Sequence, residues 1–218
     1  DPTAKEEKVN IQNGPDIKID QPNHDEHHVP LTGAMDFYQF QDKLDKHSET
    51  TTTENLITRV YVQVHNRGIV PADNVRVMLL LADASGDLPP LPAGFKVNLR
   101  NGLKINSGGW QTVGFDTLND VRVGFPKIAA FDLPTNMLSL PPPSNSEEGM
   151  AQNEGQMRCV LALVHHAQDR FANSEANADM LSINERKAAY KFITFKILPP
   201  SSLPPSKPPP SFQPLGPE

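Results

Sequence analysis

The chain of 218 residues contains a single cysteine, Cys159, which excludes any disulfide within the chain. Its surroundings, RCVLALV at 158–164, read as a buried strand. A lone thiol in such a strand behaves as a small hydrophobe rather than an activated nucleophile; a bridge to another chain stays open but nothing in the sequence favours it. Runs of lysine or arginine are also missing. The 20 basic residues are scattered among 26 acidic ones, for a net charge of -6. A surface that tracks nucleic-acid phosphates needs clustered cations, so no nucleic-acid partner is expected. No apolar run reaches the ~18 residues that mark a membrane-spanning helix. The pattern of a secretory leader is absent as well, so the chain is expected to be either cytoplasmic or already mature at Asp1. There is no G-x-S-x-G elbow, no phosphate-binding P-loop and no G-x-G-x-x-G turn.

What the sequence has in excess is proline. The 22 prolines make up roughly twice the usual ~5 % share. Mean hydropathy is low, at -0.46, and the deficit lies at the two ends. This divides the chain into an extended N-terminal arm over 1–50, a β-sandwich over 51–198 and a Pro-rich tail over 199–218. The central part is long enough to bury a core of its own. The tail favours polyproline II and can join neither a helix nor a strand ladder.

Along the arm, Asp16–Asp20 alternates like a strand between Pro15 and Pro22. Residues 35–46 carry Phe37, Phe40 and Leu44 at helical spacing, and 50–53 read as a polar linker. From Ile57 to His65 the valines at 60, 62 and 64 alternate with polar or amphipathic residues, the period of a half-buried strand. Asn66, Arg67, Gly68 and Pro71 supply a turn, with Gly68 free to take positive φ if the turn demands it. Val75–Leu81 is apolar enough for a central strand. Further strands are expected near 97–99, 110–115, 127–131, 158–165 and 190–197, with loops at 85–94 and 140–149. Ser182 and Glu185 fit a capping box that opens a short helical turn. Strands separated by turn signals, without long amphipathic helices between them, predict an all-β, Ig-like sandwich of about 7–9 strands.

The residues VYVQVHNRGIVPADNVRV at 60–77, followed by ADASGDLPPLP at 82–92, resemble bacterial immunoglobulin-like modules of the CARDB (cell-adhesion-related) type. In those modules a strand ends in an Asn-Arg-Gly corner and the next begins with a small-x-Asn-Val-x-Val pattern. Residues 15–19, Cys159–His166 and the Arg186–Ala189 segment extend the likeness over most of 15–198. The resemblance implies an Ig-like sandwich, usually one module of a larger surface, secreted or assembly-forming protein, and it implies no catalytic residues.

Several groups of residues invite chemistry, and each has a plainer reading. His24, Asp25, Glu26, His27 and His28 hold metal-ligand types but lie in a polar loop with no evident groups to orient the rings. His165 and His166 end a strand, so their rings point to opposite faces and cannot share a site. Asp169, Asn173, Glu175, Asn177 and Asp179 suggest calcium, yet an EF-hand counted from Asn173 would need Gly and Glu where Ala178 and Asn184 stand. A loop whose side chains bond their own backbone is the simpler reading. Glu147 and Glu148 serve solubility. Trp110 and Phe95, Phe115, Phe125 and Phe131 are read as inter-sheet core, with exposed stacking by Trp110 as the exception to test. His65 is read as a strand-end residue on the solvent side.

The sequence therefore assigns no catalytic residue and no cofactor, and leaves a metal undecided. The expected function is that of a non-enzymatic subunit or module at the cell surface or outside it. Its partners would be copies of itself or neighbouring structural subunits, reached through strand addition by 16–20 and through the tail. A ligand- or glycan-binding accessory module, using Trp110 and the 85–94 loop, is the alternative.

Overall fold

A computed structural model describes residues 16–20, 49–52, 58–134, 137 and 156–197. The 35–46 segment, expected as a short amphipathic helix or an extended loop, the His24–His28 loop, the 140–149 loop, Glu147, Glu148 and the Pro-rich tail lie outside them. The described chain is mostly strand: β1 (Ile17–Asp20), β2 (Glu49–Thr52), β3 (Thr58–Val64), β4 (Val75–Asp83), β5 (Asn106–Ser107), β6 (Trp110–Leu118), β7 (Lys127–Leu133), β8 (Gln156–His165) and β9 (Ala188–Ile197). Two short helices accompany them, α1 (Phe95–Asn101) and α2 (Ala178–Asn184).

The strands form an all-β sandwich, as the alternation predicts. One sheet has the order β1-β3-β7 and the other the order β2-β9-β8-β4-β6-β5. Every pairing is antiparallel except β2 with β9. Alternate residues of β3 and β4 face each other across the gap: Val60, Val62 and Val64 from one sheet meet Val77, Leu79 and Leu81 from the other. Ile17 and Ile19 of β1, both fully buried, extend that layer.

The apolar run in β4 has a second cause. Met78, Leu80 and Ala82 point the opposite way and are also buried, under α1, α2 and the loops beside them. The larger sheet is therefore covered on both faces, and the described residues form three layers rather than two. Burial on both faces makes a strand read as continuous hydrophobic sequence. Phe95 and Leu99 of α1 and Ala178 and Leu181 of α2 supply the third layer. Phe95 meets Phe171 edge-on at 5.7 Å between ring centroids. Lys96 Nζ donates to Ser174 Oγ at 2.6 Å, and the Leu91 amide to the Ala176 carbonyl at 2.7 Å.

Four local expectations are corrected. Residues 97–99 belong to a helix because Phe95 and Leu99, four apart, bury one stripe. Arg76, at the start of β4, donates to the carbonyls of Leu99 and Arg100 and holds the helix end to the sheet. Ser182 does not cap α2; Asn177 does, accepting from the Met180 amide at 3.0 Å. Glu185 lies beyond the helix and accepts from the amides of Ala172, Asn173 and Lys187. Residues 50–52 of the segment read as a 50–53 linker run in β2 beside β9. Finally, the 16–20 strand adds to its own chain's β3, with Ile17 opposite Val62 and Ile19 opposite Val60, and not to a neighbour. Its two isoleucines complete the core of the small sheet, so leaving it free would expose them.

Candidate functional site

Two loops meet at the end of the sandwich where β3 stops and β4 starts. The first is 65–74; the second, 119–126, joins β6 to β7. Asn66 ties them together: its side-chain Nδ2 donates to the carbonyls of Val70 at 2.7 Å and Val121 at 2.8 Å, and its Oδ1 accepts from the Gly68 amide at 2.7 Å. Asn74 and Asp120 both take positive φ, 56° and 52°. Each is held by the other loop, since Asn119 Oδ1 accepts from the Asn74 amide and Asp73 Oδ1 from the Asp120 amide. Asn and Asp tolerate this conformation better than branched residues do. Gly68 does not use it. The Asn-Arg-Gly corner is built by the Asn66 side chain.

This bracing presents apolar side chains to solvent. Ile69 is 97 % exposed and Phe125 71 %, with Val70 and Val123 also exposed. Phe125 corrects the expectation that the aromatic residues fill the inter-sheet core; Phe131 does so, whereas Phe95 and, half-buried, Phe115 pack in the layer beneath the helices. Trp110 is buried at 1 % exposure, and its Nε1 donates to the Pro89 carbonyl at 2.8 Å. It offers no stacking platform.

Beside the loops lies a cleft of about 410 Å³ between the ends of β3 and β8 and the starts of β4 and β9. Val64, Val75, Val121, Val164 and Ala189 give it an apolar floor, and Asp16, His65, Arg67, His166, Asp169 and Arg186 line its rim. His65 is exposed, as alternation predicts, and its Nε2 lies 3.7 Å from Asp16 Oδ1. Burial raises the Asp16 pKa above the ordinary carboxylate value, opposed by the charges of His65 and Arg67. Lys187 Nζ donates to Asp169 Oδ1 at 2.9 Å and to the Arg170 carbonyl at 2.7 Å. This hydrogen bond holds the Asp169 carboxyl below its ordinary pKa.

The candidate chemistry of the sequence is dispersed. His166 faces the cleft, whereas His165 lies on the side of Arg76 and Arg100, and its pKa is lowered first by burial and then by those cations. Cys159 is buried in the layer beneath the helices, where burial pushes its thiol pKa well up, as expected of an inert core residue. The 169–179 oxygens serve the loop's own backbone: Asn173 accepts from the Glu175 amide, Glu175 from Asn177 and Asn177 from Met180. Among the described residues no three His, Cys, Asp or Glu side chains are grouped to hold a metal ion. No helix among them is long and apolar enough to cross a membrane.

Sequence reasoning missed Asp16, Gln63, Arg67 and Arg186 as neighbours at one cleft. The only signal was that the Asn-Arg-Gly corner and the Arg186–Ala189 segment, both already quoted as motifs, each contribute a cation. No protein-family model matches the chain, and no curated protein matches it either. Among solved structures it is similar to a crustacean hemolymph-type prophenoloxidase (proPOb), with 11 % identity and a TM-score of 0.40, over 67 % of this chain and 25 % of that one. This chain thus spans a quarter of that protein's length, and a likeness so slight bears on neither family nor activity.

Proposed function

We propose that this chain is a non-enzymatic Ig-like module that works by protein–protein contact in a multi-subunit assembly at the cell surface or outside the cell. Its contact surface is the loop end of the sandwich, and its partner there is a second copy of the same chain. The observation that carries this reading is the exposure of Ile69, Val70, Val123 and Phe125 on two loops braced by Asn66. Single surface hydrophobics are ordinary, but four large apolar side chains exposed on two loops that are tied together favour a contact surface. A rigid patch also loses little conformational entropy on association. The resemblance to CARDB-type modules points the same way.

The test is the double variant Ile69→Asp/Phe125→Asp, compared with wild type by light scattering after size exclusion. Both side chains are exposed, so stability should change by no more than about 0.5 kcal/mol. Wild type is expected to self-associate and the variant to stay monomeric. A wild type that remains monomeric at about 1 mM, where even a Kd corresponding to ~4 kcal/mol would show, overturns the proposal. Equal association of the two proteins overturns it as well.

A further inference from the structure

The cleft beside the loops shares Val70 with the contact surface proposed above, but its chemistry is of a different kind. Its volume of about 410 Å³ falls within the ~300–1,000 Å³ typical of small-molecule sites. The floor is the uncovered end of the inter-sheet core, formed by valines and Ala189. Charge on the rim is uneven for a chain of net charge -6. Arg67, Arg186 and Lys187 stand there with His65 and His166, against only Asp16 and Asp169. Asp169 is taken up by Lys187 and Asp16 faces His65. Arg67 and Arg186 have no hydrogen bond or ion pair among the described residues.

Guanidinium groups pair with carboxylates through parallel hydrogen bonds, and a dry apolar floor strengthens such pairs.

We propose that the cleft binds a small amphipathic carboxylate. Its apolar body lies on Val64, Val75, Val164 and Ala189, and its carboxylate meets Arg67 and Arg186.

The experiment titrates the full chain with octanoate, octanol and octylammonium and follows backbone amides by NMR. It is done in the Ile69→Asp/Phe125→Asp background, so that failure of the association proposal leaves this result intact. Octanoate is expected to shift the amides of Val64, Val164 and Ala189 with a Kd at least about tenfold below that of octanol, a margin of ~1.4 kcal/mol. Octylammonium should not bind. The exposed pair Arg67→Glu/Arg186→Glu should reverse the order, favouring octylammonium. Equal binding of octanol and octanoate overturns the proposal. So does the absence of cleft shifts at about 10 mM octanoate, well above any useful Kd.

Discussion

The two ends of β4 lead into loops of opposite character. Beyond its C-terminal end, residues 84–109 are rich in proline and glycine and read as a solvent loop, yet much of the segment is packed. Leu91 and Ile105 are buried, as is Trp110 just after it, and Pro89 both accepts the Trp110 indole hydrogen bond and abuts Gly109. Gly109 sits at φ 81°, where an added Cβ would lie 2.8 Å from Pro89 Cγ, so only glycine fits. At the N-terminal end, loops containing Ile69, Val70, Val123 and Phe125 look like core sequence and face solvent instead. Composition alone does not decide exposure. The first loop has the helical layer to fold against, while the second projects past the edge of the sandwich.

The sharpest way to break this contrast is to truncate one aromatic at each end. Trp110→Ala should cost about 3–5 kcal/mol, seen as a large drop in the urea midpoint, because it removes a buried indole and its hydrogen bond. Phe125→Ala should leave that midpoint within about 0.5 kcal/mol of wild type. Similar losses at the two sites would mean that the ends do not differ as described. A smaller effect sharpens the contrast. Asn66→Ala removes three hydrogen bonds that brace the exposed loops and should cost about 1–2 kcal/mol. Hydrogen exchange should rise at the Gly68 amide and stay unchanged in β4.

The smallest effect concerns acid. The Asp169 pKa is lowered in the folded state, chiefly by the Lys187 hydrogen bond. Its contribution is thus complete above the ordinary carboxylate pKa of ~3.9 and is lost as pH falls through the lowered folded value. Asp16 has the opposite sign: its folded pKa is raised, so stability is gained as pH falls through that value. Asp169→Asn should therefore flatten the acid side of a stability profile by only a few tenths of a kcal/mol, about what an exposed pair supplies. Urea midpoints at pH 6 and pH 3 measure it. An equal loss at both values in wild type and variant would remove the Lys187 pair from the acid response.

How far the sequence was legible follows from which patterns are local. Val60, Val62 and Val64 show period two because one face of β3 meets the other sheet, and the strand was read accordingly. In β4 both faces are buried, so the alternation that would have announced a third layer is hidden. The 97–99 error has the same root. Phe95 and Leu99 form a helical stripe only because a sheet face lies beneath them, and in a seven-residue helix that stripe is a single pair. At the cleft, Asp16, Gln63, Arg67 and Arg186 come from three separate stretches of chain, and no spacing rule links them.

By itself the sequence determined an all-β sandwich, its main strands, an inert Cys159 and a self-bonding 169–179 loop. Each depends on residues near one another along the chain, where periodicity and turn chemistry act directly. Only the tertiary structure decided that β1 pairs with its own β3, that Phe125 is exposed while Trp110 is buried beneath the helical layer, and that scattered cations share one cleft. These depend on which surfaces find a partner across the fold, a choice made by the packing of distant segments and written in no single stretch.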